Sequence, residues 1–310
     1  MADEIPEKPP SFLMRLTRLV GVVLMVVSCA YVVRELWRDN DLLRALEFSG
    51  GVGGALGVAV MMWVVLNVCL GWGWRPLVFW AGGRISNRDS IELSMRTQVA
   101  KYLPGNVFHI AGRVLLAREF GVTAAQAGFT TALESLLLVG MAVAIGLPFL
   151  LLAPGSGIFA SLTLVAVGAI VLTMSSRVRR LLQSRFGLAM ELPAAAVVAC
   201  LVRAGLSYLW VFVLQAGMFV VIAHAVLPEF AWSAFTTLQA VAVSWVAGFV
   251  VIGAPGGLGV RELVFGLFAD ATVGQPELLL VAALMRGCSI AGDLICLGIG
   301  TAMRSARSTA

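Results

Sequence analysis

Ten ionisable side chains lie in or beside stretches too apolar to accommodate them cheaply: Arg96, Lys101, His109, Arg113, Glu134, Arg203, Arg261, Glu262, Arg286 and Asp293. A charge at bilayer depth costs about 3 kcal/mol on insertion scales unless it is paired or hydrated, so each is a functional residue by default. Arg286 and Asp293 are seven apart, on one face of a helix, and are expected to pair. Glu134 is expected to pair with an arginine. Such pairs also have a purely structural use, neutralising each other and locking helices together. Cations still exceed anions, because six basic residues besides His109 face only Glu134, Glu262 and Asp293.

A buried cationic excess calls for water or an anionic guest. Arginine's planar fork matches phosphate geometry. Helix N-termini add unsatisfied N–H groups and the positive end of a dipole. Two helix breaks are placed to supply them. "KYLPGNVFHIAGR" has Pro104-Gly105-Asn106 between Lys101 and Arg113, with Asn106 where it could cap the following helix. "GAPGGLGVRE" has Pro255-Gly256 just before Arg261 and Glu262. The expected ligand is a lipid phosphate head group with an apolar groove for its tails. The expected site residues are Lys101, Asn106, His109, Arg113, Glu134, Arg261, Glu262, Arg286 and Asp293.

The two breaks correspond. Pro104-Gly105 is followed about thirty residues later by Glu134 in an apolar span, and Pro255-Gly256 at a similar distance by Arg286. Gly/Pro-interrupted segments in matching positions point to a midplane site between inverted repeats. The alternative is two unrelated kinked helices.

Composition sets the environment. The chain has 310 residues, 60% of them hydrophobic and only 13% charged, against about 25% charged in soluble domains. No charge occurs between Glu47 and Arg75, Glu134 and Arg177, or Glu229 and Arg261. A helix of about 20 apolar residues crosses the hydrocarbon core, so each gap holds one or two crossings. The expected class is an all-α polytopic membrane protein forming a single transmembrane domain over 1–310. The formal charge of +5 fits basic cytoplasmic loops. Nothing resembles a nucleic-acid surface.

The expected order begins with a flexible cytoplasmic segment, 1–15, and an uncleaved first span, 16–33. A surface helix follows at 34–48, then a second span at 51–72 with Trp72, Trp74 and Trp80 as an interfacial belt. A first re-entrant hairpin occupies 90–119, built of two helices too short to cross. Spans at 123–152 and 157–175 precede a basic loop, 177–187. A short helix ending near Arg203 and then a span fill 191–227. A second re-entrant hairpin covers 232–271, unless 232–252 crosses fully, and the last span is 277–303. The Lys/Arg bias puts Arg75, Arg84, Arg88, the 177–185 cluster, Arg304 and Arg307 in the cytoplasm. Both termini are then cytoplasmic, with about six full crossings in the cell inner membrane.

No enzyme or metal motif competes. There is no H-E-x-x-H, no G-x-S-x-G with a partner His and no Walker loop. His109 and His224 are far apart, and the five cysteines include no C-x-x-C pair. No cofactor and no metal site is expected. Three readings remain: a lipid translocase; a structural or accessory partner of a lipid- or glycan-modifying enzyme; and a membrane transferase using Glu134 or Glu262 as base.

"KYLPGNVFHIAGR", the intramembrane Glu134 and "PGGLGVRE" (255–262) together resemble the transmembrane region of the lysylphosphatidylglycerol synthase/flippase family. The resemblance spans nearly the whole chain. It implies movement of an anionic lipid between leaflets without the family's soluble synthase domain, hence no aminoacyl transfer. The lipid it implies is a phospholipid, a polyprenyl phosphate or a glycolipid. Its partners would be membrane lipids, with a homo-oligomer or a complex with a lipid-modifying enzyme also open.

Overall fold

The computed structural model describes residues 50–102, 108–152, 175–227, 229–251, 255–269 and 273–308, with isolated positions at 26, 30 and 34. The expected segments 1–15, 16–33, 34–48 and 157–175, and the triplet Pro104-Gly105-Asn106, fall outside this range, apart from those isolated positions and residue 175. Among the described residues every regular element is helical. The α-helices are α1 (Gly50–Trp80), α2 (Asn87–Thr97), α3 (Phe108–Leu116), α4 (Ala124–Leu152), α5 (Ser176–Phe186), α6 (Ala194–Val226), α7 (Ala234–Val250), α8 (Val260–Gly266) and α9 (Gln275–Ser308). Short 3-10 turns extend α2 through Gln98–Tyr102 and α3 through Ala117–Phe120, and Pro255–Gly257 forms another before α8.

Four of these helices are long and apolar enough to cross a membrane: α1, α4, α6 and α9. Three of them, α1, α6 and α9, expose large apolar side chains. Val198, Val202, Leu206 and Trp210 form an exposed stripe at four-residue spacing on α6, and Val58, Met61, Val65, Trp72 and Phe79 form another on α1. Such stripes are the complement of a lipid environment, where the outer face of a helix is as apolar as the core. At 17 residues, α7 is about 25 Å long, short of a roughly 30 Å hydrocarbon core.

Local chemistry caps three of the helices at their N-termini. Ser86 caps α2 by accepting from the Asp89 N–H at 3.0 Å. Thr123 and Gln126 bond reciprocally ahead of α4, a capping box. Ser233 accepts from the Thr236 N–H at the start of α7.

Packing depends on close approach to α1. A Cβ on Gly71 would stand 2.6 Å from the Ile91 backbone of α2, and one on Gly73 would stand 2.5 Å from the Tyr208 ring of α6. Small residues at such crossings replace the hydrophobic drive that lipid removes. At another point, Phe219 of α6 stacks between Trp232 and the Phe265 ring of α8.

Two expectations are corrected. Residues 194–226 form one continuous helix and not a short helix followed by a span; the run carries no internal Pro to break it, and Arg203 is exposed on its side. Trp74 and Trp80 are not an interfacial belt: they are 1% and 0% exposed. They are packed inside because α1 continues through Pro76 to Trp80 and brings both rings against neighbouring helices.

Replacing Gly73 by Val should drive a side chain into Tyr208 and cost about 1–3 kcal/mol. Thermal unfolding of the purified protein in detergent checks this; an unchanged midpoint would show that the α1–α6 crossing can open.

Candidate functional site

Asp293, near the middle of α9 and fully buried, organises the site. Its carboxylate accepts from Lys101 Nζ at 2.7 Å, Tyr102 Oη at 2.7 Å and Trp63 Nε1 at 2.7 Å. The Asn67 side-chain amide adds a longer contact at 3.4 Å. The donors come from the α2 extension and from α1. Lys101 Nζ also lies 4.9 Å from the Trp63 ring centroid, so its charge meets a carboxylate and an aromatic face together.

The expected Arg286–Asp293 pair is not formed. Two helical turns separate the residues by about 10 Å along the axis, and Lys101 reaches Asp293 directly from another element. Arg286 turns the other way. Its guanidinium donates to the Gly256 carbonyl at 2.7 Å and lies 5.5 Å from the Tyr102 ring centroid. The two segments therefore meet: Tyr102 ends the extension of α2, Gly256 lies within the Pro255–Gly257 turn ahead of α8, and Arg286 lies against both. Gly256 has φ 58° and Gly257 φ 75°, a left-handed turn that Gly alone adopts without strain.

The expected Glu134–arginine pair does form, with Arg113. Arg113 also donates to Ser94 Oγ at 3.3 Å and lies 5.4 Å from the Trp74 ring centroid. It therefore links α3 to α4, α2 and α1, and both members are nearly inaccessible.

Arg261, on α8, is different. Its guanidinium lies 5.9 Å from the Trp245 ring centroid. A Cβ on Gly248 would stand 2.6 Å from its Cγ, so the glycine makes the channel for its stem. Arg261 has no ion pair among the described residues, and its Nε is buried without a hydrogen-bond partner. Glu262 beside it is 6% exposed and likewise has no ion pair among the described residues; its Oε2 is buried without a partner.

Lys101, Arg113, Glu134, Arg261 and Arg286 line one cavity of about 100 Å³, with Gln98, Thr131, Ser135, Gln215 and Trp245 among the other walls. Its walls come from near the midpoints of α1, α4, α6 and α9. A second, smaller cavity contains Glu262, Ser244 and Ser289 and shares Trp63, Gln215, Arg261 and Arg286 with the first. Among the described residues, Lys101, Arg113, Arg261 and Arg286 line the main cavity with Glu134, while Asp293 holds Lys101 from behind its wall.

Two of the ten ionisable residues lie elsewhere. Arg96 pairs with Glu92 and Glu119 in a network that Arg304 and Arg307 extend to the end of α9. Arg203 lines a surface groove with Arg75. Of the remaining expected site residues, His109 falls in α3, and Asn106 lies outside the described residues. The residues not anticipated are the uncharged partners: Trp63, Asn67, Tyr102, Gln215 and Trp245. Asn67 and Gln215 carried a usable signal, as lone amides inside apolar runs. No family model and no curated protein matches the chain.

Asp293→Asn should leave Lys101 buried beside a neutral amide and destabilise the protein by about 3–5 kcal/mol. Combining Lys101→Met with Asp293→Leu should recover part of that loss. Thermal unfolding of Asp293→Asn, Lys101→Met, Asp293→Leu and the Lys101→Met/Asp293→Leu double variant checks this; additive losses from Lys101→Met and Asp293→Leu would mean that the pair is not coupled.

Proposed function

We propose that the chain is a lipid translocase of the cytoplasmic (inner) membrane, holding an anionic phospholipid or lipid-linked phosphate head group in the cavity between its two broken segments. The single observation that supports this most is Arg261, a largely enclosed guanidinium at a mid-helix cavity whose basic residues outnumber its acids. A phosphate would meet Arg261 and Arg286 there, with Gln98 and Gln215 as neutral donors. The cavity's about 100 Å³ suits a head-group phosphate, with the tails left outside among apolar helix faces.

This reading revises the individual roles. Lys101 and Arg113 are already matched by Asp293 and Glu134, so they tune and lock the site. Arg261 is the principal anion ligand, and Arg286 lines the same cavity beside it. The two short-helix pairs act as re-entrant hairpins at 90–119 and 232–271, in a frame of about six crossings with both termini cytoplasmic. The meeting of Tyr102, Gly256 and Arg286 supports the inverted-repeat relation, since midplane sites form where such half-helices approach each other. The resemblance to the lysylphosphatidylglycerol synthase/flippase transmembrane region points the same way. No covalent step is assigned to the site.

Arg261→Gln and Arg286→Gln should each reduce leaflet transfer of fluorescent phosphatidylglycerol in proteoliposomes at least tenfold while the protein remains monodisperse. Normal transfer by both variants would overturn the translocase and favour a structural partner of a lipid-modifying enzyme.

A further inference from the structure

A groove of about 490 Å³ lies on the outer surface between α1 and α6 and shares no lining residue with the enclosed cavity. Small side chains open it. Ala196, Ala199, Cys200 and Ser207 line it from α6. Gly73 brings α1 against α6 at the Ser207 end, where a Cβ would stand 3.1 Å from the Ser207 Cβ.

Two arginines stand in its walls, Arg75 from α1 and Arg203 from α6, and no acidic residue does. Both are exposed, and neither has an ion pair among the described residues. Arg75 Nε donates to the Ile85 carbonyl at 3.2 Å, which steadies its stem and leaves the outer edge of the guanidinium toward the groove. The rim is apolar. Trp72 and Phe79, 55% and 52% exposed, flank Arg75 and continue the outward stripe of α1. On α6 the exposed row Val198, Val202 and Leu206 runs alongside Arg203.

Depth identifies the surroundings. With 33 residues, α6 is about 50 Å long, so about 10 Å of each end projects beyond a 30 Å hydrocarbon core when the helix is centred and upright. Arg203 is then about 14 Å from the Ala194 end, within a few Å of the core boundary, and Arg75 is about 8 Å from the Trp80 end of α1. Both guanidinium groups reach head-group level by snorkelling, and an exposed Trp such as Trp72 anchors at the same level. A topology signal needs only cations in a loop. Two arginines from different helices in one groove, with no acid between them, need a shared counter-anion. A water-soluble anion would leave Trp72 and Phe79 uncovered. A phospholipid satisfies both parts, because its phosphate matches the arginine fork and its acyl chain covers the rings. Basic pockets between transmembrane helices recognise anionic head groups in this way.

We propose that the α1–α6 groove is a second lipid site, in which Arg75 and Arg203 hold the phosphate of an anionic phospholipid of the adjoining leaflet while an acyl chain lies over Trp72 and Phe79. On the orientation proposed above, that leaflet is the cytoplasmic one. The site stands independently of what the enclosed cavity carries, since the two have no residue in common.

Trp72 reports the groove directly. The purified full chain is reconstituted in phosphatidylcholine vesicles containing an equal small fraction of either phosphatidylglycerol or phosphatidylcholine with brominated acyl chains. Quenching of Trp72 is the difference between wild type and Trp72→Phe. At low salt, brominated phosphatidylglycerol should show a relative binding constant about fivefold above that of brominated phosphatidylcholine, and added salt should erase the difference. The Arg75→Gln/Arg203→Gln double variant should lose the preference, and folded Arg261→Gln should keep it. Equal quenching of Trp72 by the two lipids at low salt overturns the site and needs neither arginine variant to fold. A preference that persists in the double variant, or that vanishes in folded Arg261→Gln, overturns it by placing the selectivity elsewhere. Inorganic phosphate that removes the preference more effectively than sodium chloride of equal ionic strength overturns the lipid assignment in favour of an aqueous anion. Loss of leaflet transfer with this preference intact would count against the translocase alone.

Discussion

The burial of Asp293 is the constraint on which the rest of the site depends. A carboxylate in the middle of an apolar helix is tolerable only when its lone pairs are filled and its charge is matched. Lys101 supplies the charge, and Tyr102, Trp63 and Asn67 supply hydrogen bonds. Those partners belong to the first broken segment and to α1, so satisfying one acid joins three parts of the chain. Once Tyr102 is held at Asp293, its ring is also beside Gly256 and Arg286. The position of the second broken segment thus follows in part from the first.

A division of labour among the cations follows. Lys101 and Arg113 meet carboxylates directly, and each also touches an aromatic ring. Arg261 is held by shape: Gly248 and Gly257 leave room for its side chain, and Trp245 offers a ring face. Holding a cation by packing instead of by an acid leaves its hydrogen-bonding edge available to a ligand. The cavity lies where the short elements carrying Lys101, Arg113, Trp245 and Arg261 meet the middles of α1, α4 and α6.

Outside the site, the molecule follows from simpler physics. Apolar stripes on α1 and α6 face outward, and glycines bring the helices within backbone contact. The ionic network of Arg96, Glu92, Glu119, Arg304 and Arg307 gathers where α2, the α3 extension and the end of α9 approach one another. The Glu92 and Arg96 side chains are buried there, and the network opens toward solvent through Glu119, Arg304 and Arg307.

The helical class, the four long apolar helices and the acids and bases worth inspecting were all legible in the primary structure. Charge-free runs of spanning length leave the backbone no way to satisfy its hydrogen bonds except as helices. Thr123 marks the start of α4, and Ser86 and Ser233 the starts of the shorter α2 and α7, because capping is a local interaction. Partnership was not legible. Asp293 was matched by spacing to Arg286 on its own helix, whereas its lysine lies 192 residues earlier in the chain. The belt assigned to Trp74 and Trp80 failed for the same reason: which face of α1 is buried depends on where α2, α4 and α6 lie. Local chemistry decides which segments become helices and which charges need a partner. Only the tertiary arrangement decides which partner each one meets, because ion pairing and burial depend on distances through space.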